Sequence, residues 1–321
     1  MNDETEVVLD RRRLRRKMAS WRIIAVVSVA IAAGAFLMRD ASVANFFNKP
    51  QIARVSIVGP IQEDRKQLEL LRQIAQADHV SGVLLFVNSP GGTTTGGEAL
   101  YESLRALAEK KPVVAQFGTV AASAGYIVGL ATDYIVSRGN TITGSVGVLM
   151  QWPEVSELLG KIGVRMNEVK SGTLKAEPSP FKAADPEALN VTTEMIDDGF
   201  KWFISLVESR RGISASDVPG LTEGRIYSGR QAREYKLIDE IGGETEAVRW
   251  LKEKRGVGQD AEVVDWKVKE ENGWGLSASL ADLGIALVNA VAGISHIAAR
   301  DSSLSSLNLD GLVSVWHPAK N

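Results

Sequence analysis

Five consecutive apolar residues, Val83-Leu84-Leu85-Phe86-Val87, constrain the fold more than any other stretch of this chain. A strand with one face in water alternates apolar and polar residues. An unbroken apolar run instead needs cover on both faces, the condition of a parallel sheet between helices. The flanking pattern supplies those parts. Residues 51–59 read as an earlier strand, and Leu68, Leu71 and Ala75 recur at helical spacing, as do Leu100, Leu104 and Leu107. Residues 112–115 and 134–136 read as further strands, with a helix from about Ala122 to Ala131 between them. Residues 143–148 form a Gly-punctuated strand or turn. A long helix is expected over Pro186–Arg211, ended by Gly212, then helices near 232–237 and 244–254 and a last strand near 263–266. Strand and helix alternate, so the fold class is α/β with a mainly parallel sheet.

Composition fits one large domain or two small ones: 321 residues, 45% hydrophobic and 24% charged, enough to bury a core. The net charge of -2 leaves the body without a general basic footprint, so no nucleic-acid partner is expected. There is no cysteine, which excludes disulfides, thiolate metal sites and a cysteine nucleophile. The three histidines, His79, His296 and His317, lie away from any nucleophile-like motif, so no metal or other cofactor is expected.

The two ends differ from the middle. Six positive charges crowd Arg11–Lys17, and an uncharged run from Ile23 to Met38 follows Trp21. Counted with its interfacial neighbours, that run approaches the roughly 20 residues a membrane span needs. A signal peptide cut near Ser42-Val43-Ala44 is the other reading, but Arg39 and Asp40 stand between the apolar run and that site. A retained anchor is therefore expected over 21–40. The basic arm (1–20) stays in the cytoplasm and everything after Arg39 lies outside the inner membrane, in the periplasm. Beyond about 269 an amphipathic helix is expected, with Leu280, Leu283, Leu287, Val291 and Ile294 on one side. Asp282 and His296 make a second span expensive there. Residues 312–316, Leu-Val-Ser-Val-Trp, read as a short strand or a docking peptide.

Three short motifs carry chemistry. In Ala121-Ala122-Ser123-Ala124-Gly125-Tyr126, a serine stands among small residues where a helix should begin. Space for a substrate and a helix N-terminus both favour a nucleophilic oxygen there. A small-residue packing seam would read the same way, and the Gly-x-Ser-x-Gly elbow is matched only partly. In Lys170-Ser171-Gly172-Thr173-Leu174-Lys175, a lysine in a Gly-containing loop offers an amine base, provided its proton is removed. Lys170 and Lys182 are local rivals, and a solvated loop lysine is the plain alternative. Asn88-Ser89-Pro90-Gly91-Gly92 reads as a turn closing the strand, with N–H groups free to point outward; a type II turn explains its Pro and Gly equally well.

Taken in order, these motifs resemble the bacterial signal-peptide peptidase (protease IV) family in its half-length, single-domain form. Thr143-Gly144-Ser145-Val146-Gly147-Val148 and Gly224-Arg225-Ile226-Tyr227-Ser228-Gly229-Arg230-Gln231-Ala232 belong to the same resemblance. It covers roughly 50–255 together with the preceding anchor. It implies a Clp/crotonase-like fold, a peptidase domain over 50–268 and a membrane-anchored serine endopeptidase working by a Ser–Lys dyad. Ser123 matches the nucleophile, Lys175 the general base and Ser145 a serine that hydrogen-bonds the lysine. Gly92 and Ala124, with Gly91, match the oxyanion-hole backbone. Ala124 stands where the family most often has glycine, but only its N–H is needed. The resemblance further implies apolar peptide substrates such as signal-peptide remnants, and a homo-oligomeric ring. Two other readings stand beside it. One is a crotonase-like acyl-CoA enzyme; the other is an inactive or stomatin-partner-type membrane scaffold or protease of the same fold.

Overall fold

A computed structural model of the chain describes residues 21–22, 24–29, 49–268 and 313–315. Contacts divide the chain into a leading unit, Met1–Gln51, and a main unit, Ile52–Asn321. In the leading unit, residues 21–22 and 24–29 are helical and exposed. The rest of the expected anchor and the expected amphipathic helix beyond 269 lie outside the described residues. Among the described residues no helix is long and apolar enough to cross a membrane.

The main unit is built on a mainly parallel sheet. Its central strands are β2 (Val80–Ser89) and β4 (Val113–Ala122), with β1 (Gln51–Val58) beside β2. Val83, Leu85 and Val87 face one apolar cluster and Leu84 faces a second. The run that predicted a doubly covered strand is therefore buried on both sides. Helices α1 (Arg65–Gln76) and α2 (Thr94–Ala108) carry Leu71, Ile74, Leu100 and Leu104 into the larger cluster. On the opposite face, α7 (Glu244–Lys254) brings Ala247 and Leu251 against Leu84, Val114 and Val136.

The far edge of β4 is shared by two strands. Val114–Phe117 pair in parallel with β5 (Tyr134–Ser137), and Val120–Ala122 pair in parallel with β6 (Ile142–Gly144). β7 (Ile226–Ser228) closes that side antiparallel to β6. On its other edge β4 slips against β2: Val87 faces Phe117, but Ser89 faces Ala121. Asn88 fills the slip. Its side-chain oxygen accepts from Thr119 N–H at 3.1 Å and Val120 N–H at 3.2 Å. The irregularity thus stays hydrogen-bonded, and it sets the height at which β4 delivers residues 121–123.

The stretch read as an open turn at 88–92 is instead strand on both sides of Pro90. β2 runs on to Ser89, and Gly91–Thr93 form a short strand, β3. Ile61 causes the difference: its N–H donates to Gly91 O at 2.8 Å and its carbonyl accepts from Thr93 N–H at 2.9 Å. A Cβ on Gly92 would stand 1.8 Å from the Ile61 oxygen, so only glycine fits this approach.

The long helix, α5 (Pro186–Arg211), has the expected bounds. Asp185 caps it by accepting from Glu187 N–H, Pro186 occupies its first position, and Gly212 ends it at φ 62°. Arg211 forks onto Asp239 at 2.8 and 3.0 Å, tying the helix end to the chain beside β5.

Candidate active site

Ser123 follows β4 directly and caps α3 (Ala124–Leu130) at φ 57°, ψ −121°. L-residues avoid that region, so the backbone bends sharply where strand passes into helix. The bend is held from below. Ser123 N–H donates to Gly144 O at 2.9 Å, and Ser123 O accepts from Tyr126 and Ile127 N–H. Gly125 is required under it, because a Cβ there would stand 2.8 Å from Ser89 O.

Ser145 lies alongside. β4 and β6 run in parallel with Ala122 opposite Gly144, so the next residues of each strand leave the sheet together. Ser145 also has positive φ, 53°, and its N–H donates to Arg225 O at 2.9 Å. Both serines line one open cavity of about 380 Å³. Its remaining wall mixes apolar side chains, Val146, Val148, Leu149, Ile196 and Phe200, with Asp197, Thr222 and Glu223.

Gly91, Gly92 and Ala124 are buried next to this elbow. Ile61 uses the Gly91 carbonyl and the Thr93 N–H, so by strand alternation the Gly92 N–H and carbonyl point to the opposite edge of β3. Ala124 holds the first helical position, where an N–H has no partner inside the helix. The N–H groups of Gly92 and Ala124 are thus used neither by Ile61 nor within the helix.

Lys175 is not brought to this cavity. It is exposed on the 171–176 turn and is not among the residues lining the space at Ser123. Its rivals are occupied. Lys170 and Lys182 both bridge Glu168, at 3.1 and 3.0 Å, and both contact the Glu177 carboxylate. The hydrogen bond to Glu177, then that to Glu168, pushes the Lys182 amine above the ordinary lysine value. Lys170 first, then Lys182, pull the Glu177 carboxyl below its ordinary value. An amine held charged, as Lys182 is, cannot serve as a base near neutrality, and the Lys170 amine is engaged by both carboxylates. Lys175 has no ion pair among the described residues.

Sequence reasoning missed three contributors. The side chain of Asn88, the backbone of Ile61, and the use of Ile196 and Phe200 as cavity wall are all long-range. Ile196 and Phe200 are legible as a helical stripe, but a stripe does not distinguish core from cavity.

A serine at a strained strand-to-helix bend, opening on a cavity, is a feature that an acyl-transfer enzyme can use. The profile of peptidase family S49 matches residues 105–258, and that of Clp protease matches 51–141. A protein of Synechocystis sp. that carries a protease name is 32% identical over 219 residues, 68% of this chain and 79% of its own. Protease 4 of Haemophilus influenzae is 32% identical over 234 residues, 70% of this chain and 38% of its own. A protein of Enterococcus faecium that carries the name signal peptide peptidase SppA is 36% identical over 207 residues, 62% of this chain and 58% of its own. The chain belongs to peptidase family S49.

Proposed function

We propose that this chain is a membrane-anchored serine endopeptidase that cuts apolar peptides, such as signal-peptide remnants, by a Ser123–Lys175 dyad. The observation that carries the reading is the strained elbow at Ser123, opening on a cavity walled in part by apolar side chains, and in this reading the N–H groups of Gly92 and Ala124 form the oxyanion hole. Ser123 Oγ attacks the scissile carbonyl carbon while the neutral Lys175 amine takes the hydroxyl proton. The carbonyl oxygen becomes an oxyanion held by the two N–H groups. As the C–N bond breaks, Lys175 returns the proton to the leaving amine. Water then attacks the acyl-enzyme, its proton passing through Lys175, and releases the new carboxylate and Ser123. Ser145, on the strand end beside the nucleophile, accepts a hydrogen bond from the lysine and orients it in this reading. No step calls for a metal or cofactor.

Lys175 reaches the site, in this reading, from a neighbouring subunit of a homo-oligomeric ring. Its exposure and its place outside the cavity support this. So do the large apolar groups exposed around its loop, Leu158, Ile162, Met166, Val169 and Phe181, which a second copy would cover. Such cover would also desolvate the amine and favour its neutral form. The anchor rests on the basic cluster at 11–17 and the apolar run that follows it. Exposed Ile24, Val26, Val27 and Val29 belong to that run, and the catalytic domain would sit outside the cytoplasm.

The test combines two variants. Ser123→Ala and Lys175→Ala should each abolish hydrolysis of an apolar reporter peptide while leaving the circular dichroism spectrum unchanged. Oligomers assembled from both variants should regain activity, because some sites then pair an intact serine with an intact lysine. Full activity in Lys175→Ala alone would overturn the dyad, and no recovery in demonstrably mixed oligomers would place both residues in one chain.

A further inference from the structure

β3 has a second partner. Val313–Val315 form β10, which pairs antiparallel with it: Val313 opposite Thr93, Ser314 opposite Gly92 and Val315 opposite Gly91. The inner edge of β3 is taken by Ile61, so β10 lies along the outer edge, toward which the Gly92 N–H and carbonyl point. In an antiparallel ladder a residue pointing at its partner exchanges both hydrogen bonds with the residue opposite. Ser314 is that residue. Gly91 and Gly92 carry no side chain, so the edge accepts an incoming backbone whatever side chains it bears.

A peptide substrate needs this same edge. To put its scissile carbonyl on the Gly92 N–H, it must lay the acyl-side backbone along β3, the strand-addition mode of peptide recognition. β10 and a substrate are therefore mutually exclusive. We infer that residues 313–315 act as a built-in competing strand, docked along β3 with the Ser314 carbonyl at the Gly92 N–H, and that this tail restrains the peptidase until it is displaced. The inference rests on the peptidase reading for its consequence, and on the strand pairing alone for its geometry. Because the segment is part of the chain, it competes at an effective concentration set by its own tether. Three residues of pairing suffice for that, and remain weak enough for a longer apolar peptide to replace.

The test uses the full chain, a chain ending at Asp310, and full-length Ser314→Pro, which keeps the tail but removes the N–H facing Gly92. Two backbone hydrogen bonds correspond to about a thirtyfold effect and one to about fivefold. The truncated chain should therefore show a KM for an apolar reporter about thirtyfold below that of the full chain, and Ser314→Pro, which loses one of the two bonds, about fivefold below, with kcat unchanged in both. The synthetic pentapeptide Leu-Val-Ser-Val-Trp should inhibit the truncated chain competitively. Equal KM in all three chains overturns the inference. A binding measurement separates this failure from failure of the peptidase reading. The dye-labelled pentapeptide is titrated onto Ser123→Ala chains with and without residues 311–321, and read by fluorescence anisotropy. Tighter binding to the shortened chain supports the competing strand even if no chain hydrolyses any reporter, whereas equal or absent binding refutes it. Unchanged circular dichroism of Ser314→Pro guards against a folding defect in the truncation.

Discussion

Replacing Gly92 with alanine probes the point where fold and chemistry meet. The added Cβ would stand 1.8 Å from the Ile61 oxygen and 2.5 Å from its carbon, both backbone atoms, against a floor of about 3.0 Å for real contacts. β3 or the Ile61 strand must therefore retreat by roughly 1.2 Å, the difference between 3.0 and 1.8 Å. The two bonds that tie them, now 2.8 and 2.9 Å, would open to about 4 Å and cease to be hydrogen bonds. At about 1 kcal/mol each, stability should fall by about 2 kcal/mol. The same movement displaces the Gly92 N–H by more than the tolerance of an oxyanion site, which costs roughly a hundredfold in kcat. Urea unfolding and reporter hydrolysis measure the two effects separately. A Gly92→Ala protein with unaltered stability would show that Ile61 does not clamp β3. One that is destabilised yet fully active would show that the Gly92 N–H takes no part in the reaction.

Three further outcomes follow from particular contacts. Hydrolysis should rise from acid to mildly alkaline pH, because the base must lose its proton and a lysine titrates well above histidine; a pH–rate profile already flat at about pH 6 would refute an amine base. Glu177→Gln should loosen the segment carrying Lys175, seen as faster tryptic cutting at residues 170–182 and lower activity at neutral pH. In the unaltered protein the depressed Glu177 carboxyl stabilises this segment above the ordinary carboxylate range, and that support is lost as pH falls through its folded value. The raised Lys182 amine acts in the opposite sense: its contribution is full below the ordinary lysine value and is lost as pH rises through its folded value. The cluster therefore keeps its charges across the range where the base titrates, and equal tryptic sensitivity of Glu177→Gln and the parent at neutral pH would contradict it. Tyr126→Phe should cost about 1–2 kcal/mol in a urea titration without changing kcat, since it leaves the buried Leu237 carbonyl without its donor. An unchanged midpoint would show that another group satisfies that carbonyl.

What the sequence made legible were features written in neighbouring residues. Asp185, Pro186 and Gly212 mark both ends of α5 within a few positions of each helix terminus, and the unbroken run at 83–87 can satisfy only a doubly covered strand. Ser123 stood out through its small neighbours, but its positive φ did not, because that strain is imposed by Gly144 and by the slip that Asn88 fills. The reading of 88–92 as an open turn failed for the same reason. Proline and glycine describe a turn locally, and only the remote Ile61 converts Gly91–Thr93 into a strand. Among Lys170, Lys175 and Lys182, Lys175 was favoured by the resemblance alone. Spacing of charges along a loop does not say how the loop folds back on itself, and so did not reveal that Glu168 and Glu177 engage Lys170 and Lys182.

The most direct test of the central claim is covalent labelling of Ser123 by a fluorophosphonate, read by intact mass and located by peptide mapping. The parent chain should gain one adduct, on Ser123, and a folded Lys175→Ala chain should gain none, because the hydroxyl then has no base. Labelling of another serine, or equal labelling of Ser123 without Lys175, would contradict the account.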